Sequence, residues 1–374
     1  MVPDHADQAR RLRHVPKRST RLIVAHVSLR DIRSYERLEL ALEPGLVLVT
    51  GPNGAGKTNL LESVHLATQG LSFRTRQDAQ LVRRGVEEGR AAVAGRRGTV
   101  PLEPEIALSM RSPKRIRLNG ATLGSAEELR SRIHALVFTP DRLAVVKSGP
   151  AARRAYFDRV LARLLPARAD LPAAYSAALG QRNAALRRLG AGLSDASALE
   201  PWTDRVVSLA AELVEARRMT IELLSPAFAE RAAELGLFDA SVGYDAEPPG
   251  RSDLDERLSR DVERGTTGLG PHLDEFRVLS GDRDLRAFGS QGEQRLAVLS
   301  LLLAEAELLT DRGDVPPLLL LDDALSELDA ERRRVLSARL GAVGQTLVTA
   351  TGAEALPLAP AQLLVVSPGE VRPG

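Results

Sequence analysis

The sequence predicts an α/β fold in which one sheet is assembled from both ends of the chain, with a helical arm inserted between them. Three observations carry this. Short buried strand patterns interleave with helices up to about residue 149 and again after about residue 241. From Pro150 to about Leu237 strand signals vanish and helical periodicity takes over. A glycine-rich loop, GPNGAGKT, follows one buried strand and opens a helix. The expected divisions are a flexible basic tail at 1–20, an N-terminal part at 21–149, the arm at 150–240 and a C-terminal part at 241–374.

Leu22 to Leu29 alternates in strand fashion, with Leu38 to Leu42 as its partner. Gly45 to Thr50 (GLVLVT) reads as a short buried strand, and the loop delivers the chain into a helix from about Lys57 to Thr68. AAVAG, PEIALSM and RIRLNG read as antiparallel strands between residues 91 and 120, with Asn119-Gly120 as a turn. A helix near Ser125 to Arg132 leads to the buried strand HALVF at 134–138. In the arm, Pro166, Pro172, Gly190 to Gly192, Pro201 and Pro226 mark breaks between helices. The pattern is too interrupted for a long coiled coil. Beyond it come a strand near Ser241, a helix over Asp253 to Arg264 and a turn at Gly281-Asp282. An apolar helix follows from about Glu293 to Leu309, then buried strands at LLLLDD (318–323), TLVTA (346–350) and LLVV (363–366), and a frayed end.

Composition narrows the chemistry. The chain of 374 residues has no cysteine, which excludes disulfides, thiolate zinc sites and cysteine nucleophiles and fits a cytoplasmic location. No apolar run approaches the length of a membrane span, and the N-terminus lacks the apolar stretch of a secretory signal. Of 51 basic residues only Lys17, Lys57, Lys114 and Lys147 are lysine; the rest are arginine. Net charge is +2, so any nucleic-acid surface is a local patch.

GPNGAGKT matches the phosphate-binding pattern G-x-x-x-x-G-K-[ST] at Gly51, Gly56, Lys57 and Thr58. Its glycines let Asn53, Gly54, Ala55 and Gly56 curl so that backbone N–H groups face phosphate oxygens, and the helix carrying Asn59 adds its positive end. Lys57 would neutralise phosphate charge, and Thr58 would offer its hydroxyl to Mg²⁺. The nucleotide expected is ATP. LLLLDD ends a buried strand on Asp322, placed to hold Mg²⁺, with Asp323 placed to orient or deprotonate the attacking water. SQGEQR at 290–295 opens the apolar helix. Ser-x-Gly there is either a phosphate cradle or an ordinary helix N-cap.

The order of these segments is the layout of ABC-type ATPase heads. The chain resembles the RecF family of bacterial recombination-repair ATPases, relatives of SMC-type heads. The matching residues are GPNGAGKTNLLESV, SFRTRQDAQLVRRG (72–85), FTPDRLAVVKSGPAARRAYFD (138–158), GPHLDEF (270–276), GSQGEQR and LLLLDDALSELD. The resemblance implies that Ser290, Gly292 and Gln294 contact the γ-phosphate held by a second copy, so that ATP drives a homodimer. Ser326 to Asp329 would lie at the dimer seam. Thr139 to Asp141 resembles the place of the Q-loop glutamine, which is missing there; Gln69 is an alternative. Asp323 replaces the usual glutamate, and no switch histidine stands in LVTAT (347–351), where Thr349 or Thr351 could hydrogen-bond phosphate. Slow, DNA-stimulated hydrolysis is the expectation. The implied partners are gapped or duplex DNA and RecR, with RecO and RecA downstream.

Arg111, Lys114, Arg115 and Arg117 form the densest basic cluster, on a predicted hairpin. It reads either as a DNA-backbone surface or as solvated surface in an arginine-rich chain. Arginine pairs recur elsewhere, at Arg74 and Arg76, Arg83 and Arg84, and Arg153 and Arg154. His272 in GPHLDEF reads equally as a nucleotide neighbour or a structural turn residue. Two other functions fit parts of the pattern: the ATP-binding subunit of a transporter, and a scaffold that binds ATP without hydrolysing it. The large arm and the missing switch histidine argue against the transporter.

Overall fold

The computed structural model describes residues 21–313 and 315–374; the expected basic tail lies outside them. The chain divides into two compact units, one formed by residues up to Pro140 together with Ala306–Gly374, the other by Asp141–Glu305.

The first unit holds two sheets. Buried strands from both ends of the sequence build a six-stranded sheet in the order 370–373, 362–367, 46–50, 346–350, 318–321, 135–138. Its members run parallel except for the edge strand Glu370–Pro373, which turns back antiparallel on Gln362–Ser367. The sequence led us to expect a frayed end; main-chain pairing to a neighbouring strand orders even this short polar segment. The second sheet is antiparallel, running Tyr35–Ala41, Leu22–Ile32, Glu88–Arg97, Pro104–Ser109, Arg115–Leu118, Ala121–Thr122, with Val100–Leu102 paired to Glu88–Arg97. The alternation expected along Leu22 to Leu29 changes phase at a bulge between Val24 and His26, and Leu29 pairs with Leu38. Asn119 and Gly120 both take positive φ, 50° and 82°, which suits a two-residue hairpin turn.

The helix Lys57–Gln69 packs against strands of both sheets. Every residue from Leu60 to Gln69 is buried, including Glu62 and Gln69. A helix enclosed on all sides has little tolerance for lateral movement, so the loop that feeds it is fixed by the core.

The second unit contains the helices Pro150–Leu164, Leu171–Gly190 and Glu200–Glu234 and the antiparallel strands Ala240–Tyr244, Phe276–Ser280 and Arg283–Asp284. The compact units divide at 140/141 and 305/306, not at the expected 150 and 240. The reason is local. Ala240–Tyr244 packs on the long helix, and the Ser225 hydroxyl reaches the Val242 carbonyl at 3.4 Å, so these strands belong with the helices. Pro172 and Pro201 sit in first turns, where a missing N–H costs nothing. Pro226, read as a break, lies inside the 35-residue helix. Buried Leu224 and Phe228 on either side continue its packed stripe through the proline. The expected helix over Asp253 to Arg264 is two short ones, Arg251–Glu256 and Leu258–Arg264. The longest helix that escaped the sequence is Ala330–Ala342, capped by Asp329, whose side chain accepts from Arg332 N; the short helices Ala144–Lys147 and Leu285–Phe288 escaped it too.

Candidate functional site

The parallel strands of the first unit present their C-terminal ends together. Gly51, Thr139, Asp322 and Thr351 each follow one of these strands directly, so sheet topology gathers residues that are hundreds of positions apart. This is why the loop and the LLLLDD segment form one site.

Gly51 has φ 150°, and a Cβ there would collide with the Val366 carbonyl oxygen of the neighbouring strand. Gly56 has φ 117° and opens the helix, with Tyr35 donating from its hydroxyl to the Gly56 carbonyl at 3.1 Å. Burial pushes the Tyr35 phenol well above its ordinary range, so it stays a donor. Among the described residues no backbone carbonyl accepts from the N–H groups of Lys57, Thr58 or Asn59. Open amides at a helix start are a built-in anion site. Asn53 and Gly54 are exposed along this loop and Ala55 is buried, its N–H bonded to Pro52 O at 3.2 Å.

The Lys57 ammonium donates to the carbonyls of Gly51 (2.6 Å) and Pro52 (3.0 Å). Burial lowers its pKa, and the charges of Asp322 and Asp323 oppose that shift. The Thr58 hydroxyl lies 3.0 and 2.8 Å from the two carboxylate oxygens of Asp322. A hydroxyl and a carboxylate at this separation are hard oxygen donors of the kind Mg²⁺ prefers, so the residues fit the ion expected there. Thr349, buried in the adjacent strand, donates to Asp322 at 2.8 Å and accepts from the Asp323 N–H at 2.9 Å. It therefore bonds the two aspartates. Asp323 itself has φ 52°, a left-handed conformation that costs a non-glycine residue about 1–2 kcal/mol. The Ser326 hydroxyl donates to its carboxylate at 2.9 Å.

A layer that the sequence did not signal stands behind the loop. Glu62, fully buried on the loop's helix, takes a bidentate bond from Arg33 (both 2.8 Å) and a third guanidinium bond from Arg74 (3.3 Å). Arg74 also donates to Asn59 at 3.1 Å, and Asn59 to Ser34 at 3.0 Å. Arg74 appears in the sequence as half of an arginine pair and within SFRTRQDAQLVRRG, without a role; its bond to the first turn of the helix is set by the fold.

Gln69 is excluded as a Q-loop substitute. It ends the helix that Lys57 begins, about 18 Å away at 1.5 Å per residue, and its buried amide donates to the Ile133 carbonyl at 2.8 Å. Thr139 is buried and Asp141 exposed, with no amide side chain at either position.

Ser290, Gly292 and Gln294 lie in the second unit, at the start of the helix Gln291–Gly313. The Glu293 N–H donates to the Ser290 hydroxyl (3.2 Å) and the Ser290 N–H donates to the Glu293 carboxylate (2.8 Å), a reciprocal cap. The Ser290 N–H and Arg283 hold the Glu293 carboxyl below its usual range. Gly292 is open, with only the Ser290 hydroxyl near its added Cβ. Gln294, expected among the nucleotide ligands, is 5% exposed and donates to the Leu285 carbonyl at 2.8 Å. It holds the helix start in place. His272 is structural: Thr267 O can only accept, so Nε2 carries the proton (3.0 Å) and Nδ1 accepts from the Tyr175 hydroxyl (2.8 Å). Burial lowers its pKa.

The basic cluster is largely neutralised. Arg111 pairs with Glu87, Lys114 with Asp78 at 3.1 Å and Arg117 with Glu105 at 3.8 Å. Only Arg115 of the four makes no ion pair among the described residues, and it lines a groove of about 530 Å³ together with Arg30, Glu87, Glu88, Arg90 and Glu105. Glu105 and Arg117 face each other across paired strands, while Glu87 and Asp78 reach Arg111 and Lys114 from loop and turn positions, which the linear cluster concealed.

With this geometry in view, comparison with known proteins is decisive. The model of the RecF/RecN/SMC N terminal domain matches residues 23–370. A DNA replication and repair protein RecF from Heliobacterium modesticaldum is 34% identical over 87% of this chain and 91% of its own. The chain belongs to the RecF family. A RecF relative from Kineococcus radiotolerans is 36% identical, covering 90% of this chain and 94% of its own. The solved RecF-ATPrS structure of the RecFOR pathway superposes with a TM-score of 0.85 at 25% identity, covering 94% of this chain and 98% of that one. A solved Smc head, 15% identical with a TM-score of 0.58, shares the fold. The expected ABC-type ATPase head stands, and the transporter reading is set aside, because the RecF relatives are DNA replication and repair proteins. No helix among the described residues is long and apolar enough to cross a membrane.

Proposed function

We propose that this protein is an ATP-dependent DNA-binding recombination-repair ATPase of the cytoplasm that dimerises on ATP and DNA and hydrolyses ATP slowly to reset. The observation that carries the reading is the Thr58–Asp322 pair, 2.8 Å apart beside open helix-start amides. The amides and Lys57 would bind the phosphates of ATP; its ammonium has only to exchange the Gly51 and Pro52 carbonyls for phosphate oxygens. Thr58 and Asp322 would hold Mg²⁺, which when bound supplies neutralising charge between the phosphates. Asp323 would orient the attacking water. Its side chain is one methylene shorter than glutamate and is bonded to Ser326, which supports a low rate.

Ser290 and Gly292 of a second copy would close over the γ-phosphate, making ATP the link between copies. The solved RecF relatives bound to ATP and ATPrS support the ligand. In this reading the dimer binds duplex or gapped DNA at single-strand/double-strand junctions, with Arg115 and its neighbours as a backbone contact. It helps load recombinase through RecR, with RecO and RecA downstream. Light scattering with and without ATP and a gapped duplex tests the core of the reading. Mass is expected to double only with ATP; one monomeric mass under every condition rules the composite site out.

A further inference from the structure

We propose that Thr349 is a positioning residue for ATP hydrolysis, a single hydroxyl that fixes the metal-side Asp322 and the water-side Asp323 relative to each other. The inference rests on the ATPase reading above and deepens it. Leu321 and Val348 are paired in the parallel sheet, so the next residue of each strand, Asp322 and Thr349, emerges side by side. Thr349 is 1% exposed. Its hydroxyl proton goes to Asp322 Oδ1 at 2.8 Å, and its lone pair takes the Asp323 N–H at 2.9 Å.

A threonine hydroxyl has one proton, and here it is committed to Asp322. None remains for a phosphate oxygen, which turns Thr349 away from the role of direct phosphate ligand. What the geometry supports is restraint. Asp322 is held on one side by Thr58 and on the other by Thr349, in the rotamer that faces the loop helix. Asp323 is in a left-handed conformation, and its amide is pinned by the same oxygen. At the far end Ser326 holds its carboxylate. A short acidic side chain has few ways to reach a water, so the backbone must be fixed for it to act. Moving the Thr349 oxygen would shift both aspartates at once.

The test separates the hydroxyl from the shape of the side chain. Thr349→Val keeps the volume and removes both bonds; Thr349→Ala removes them at smaller size; Thr349→Ser keeps the hydroxyl. Turnover is expected to fall about 10- to 100-fold in the valine and alanine variants, the usual cost of losing a partner that orients an active-site ligand. KM and ATP affinity should stay at the parent's values, and serine should restore turnover. Valine turning over at the parent's rate, or serine as impaired as valine, overturns the inference. So does a loss of ATP binding and thermal stability in both hydroxyl-free variants, since the hydroxyl would then serve the fold. Lys57→Ala separates the two claims. A turnover indifferent to Lys57 would overturn the ATPase reading together with this inference. A Lys57-dependent turnover that survives Thr349→Val overturns the inference alone.

Discussion

At the P-loop the first N–H groups of the helix, from Lys57 to Asn59, are left without backbone acceptors, whereas at SQGEQR the helix start is closed by its own Ser290 and Glu293. Both are helix N-termini, and both were candidates for phosphate. One offers open donors with a lysine and no acidic residue in its first turn. The other keeps a carboxylate where an anion would arrive. The difference teaches that the two halves of the proposed composite site are not equivalent. The first is ready for nucleotide within one copy. In the second, the Ser290 hydroxyl accepts in the cap and keeps its own proton for a γ-phosphate, but the Glu293 carboxylate stands beside it.

The sharpest way to break this comparison is Lys57→Ala. It should weaken nucleotide binding and lower turnover about 10²- to 10³-fold, as removal of a charge-stabilising group does; calorimetric titration with ATP measures the first and phosphate release the second. Next is Ser290→Ala, which should leave single-copy ATP affinity unchanged. It should weaken ATP-dependent association about 10- to 100-fold, the worth of a hydrogen bond to a charged group. Sedimentation across a concentration series reads this out, and equal losses at both positions would erase the distinction. A smaller effect is expected on the exposed sheet. Arg115→Glu should lower the salt slope of DNA binding by about one or two. Arg111→Glu should do less, because Glu87 already occupies that guanidinium.

The smallest effect belongs to the unit that carries SQGEQR. Burial keeps His272 neutral in the fold, whereas the unfolded chain takes up a proton near pH 6.5. Its contribution is therefore intact above about pH 6.5 and declines as pH falls through that value. Thermal melts between about pH 7.5 and 5.5 should show a shallower acid loss for His272→Gln than for the parent.

The sequence disclosed the parts of the site that are contiguous. Leu46 to Thr58 and Leu318 to Asp323 each carry strand, turn and functional side chain in one short stretch, so pattern and chemistry coincide. It also kept open the N-cap reading of Ser290, and the cap is what the structure contains. What it concealed depends on register. Thr349 meets Asp322 because two strands align, and no spacing within the chain encodes that. Arg33 on a hairpin turn, Arg74 on a loop and Glu62 inside a helix converge through tertiary packing that no spacing encodes either. Gln69 was already placed by the sequence at the far end of the helix that Lys57 begins; what the sequence did not display is that its amide is spent on the Ile133 carbonyl. Pro226 misled because tertiary packing overrides local preference. Acids from outside the cluster, Glu105 on a paired strand and Asp78 and Glu87 at turn and loop positions, neutralise a cluster that looked uniformly basic when read in line.

Gly51 is pressed against Val366, and the strand before it lies between residues 346–350 and 362–367. Both neighbours are made roughly 300 residues after the loop itself. At ordinary rates of synthesis that is a delay of about 15–60 s. During that interval the nascent loop has its full complement of glycines, lysine and threonine but no strand on either side to hold it. The glycine-rich loop is thus expected to be among the last features of the first unit to settle, and damage near residue 366 would be read as a defect at residue 51.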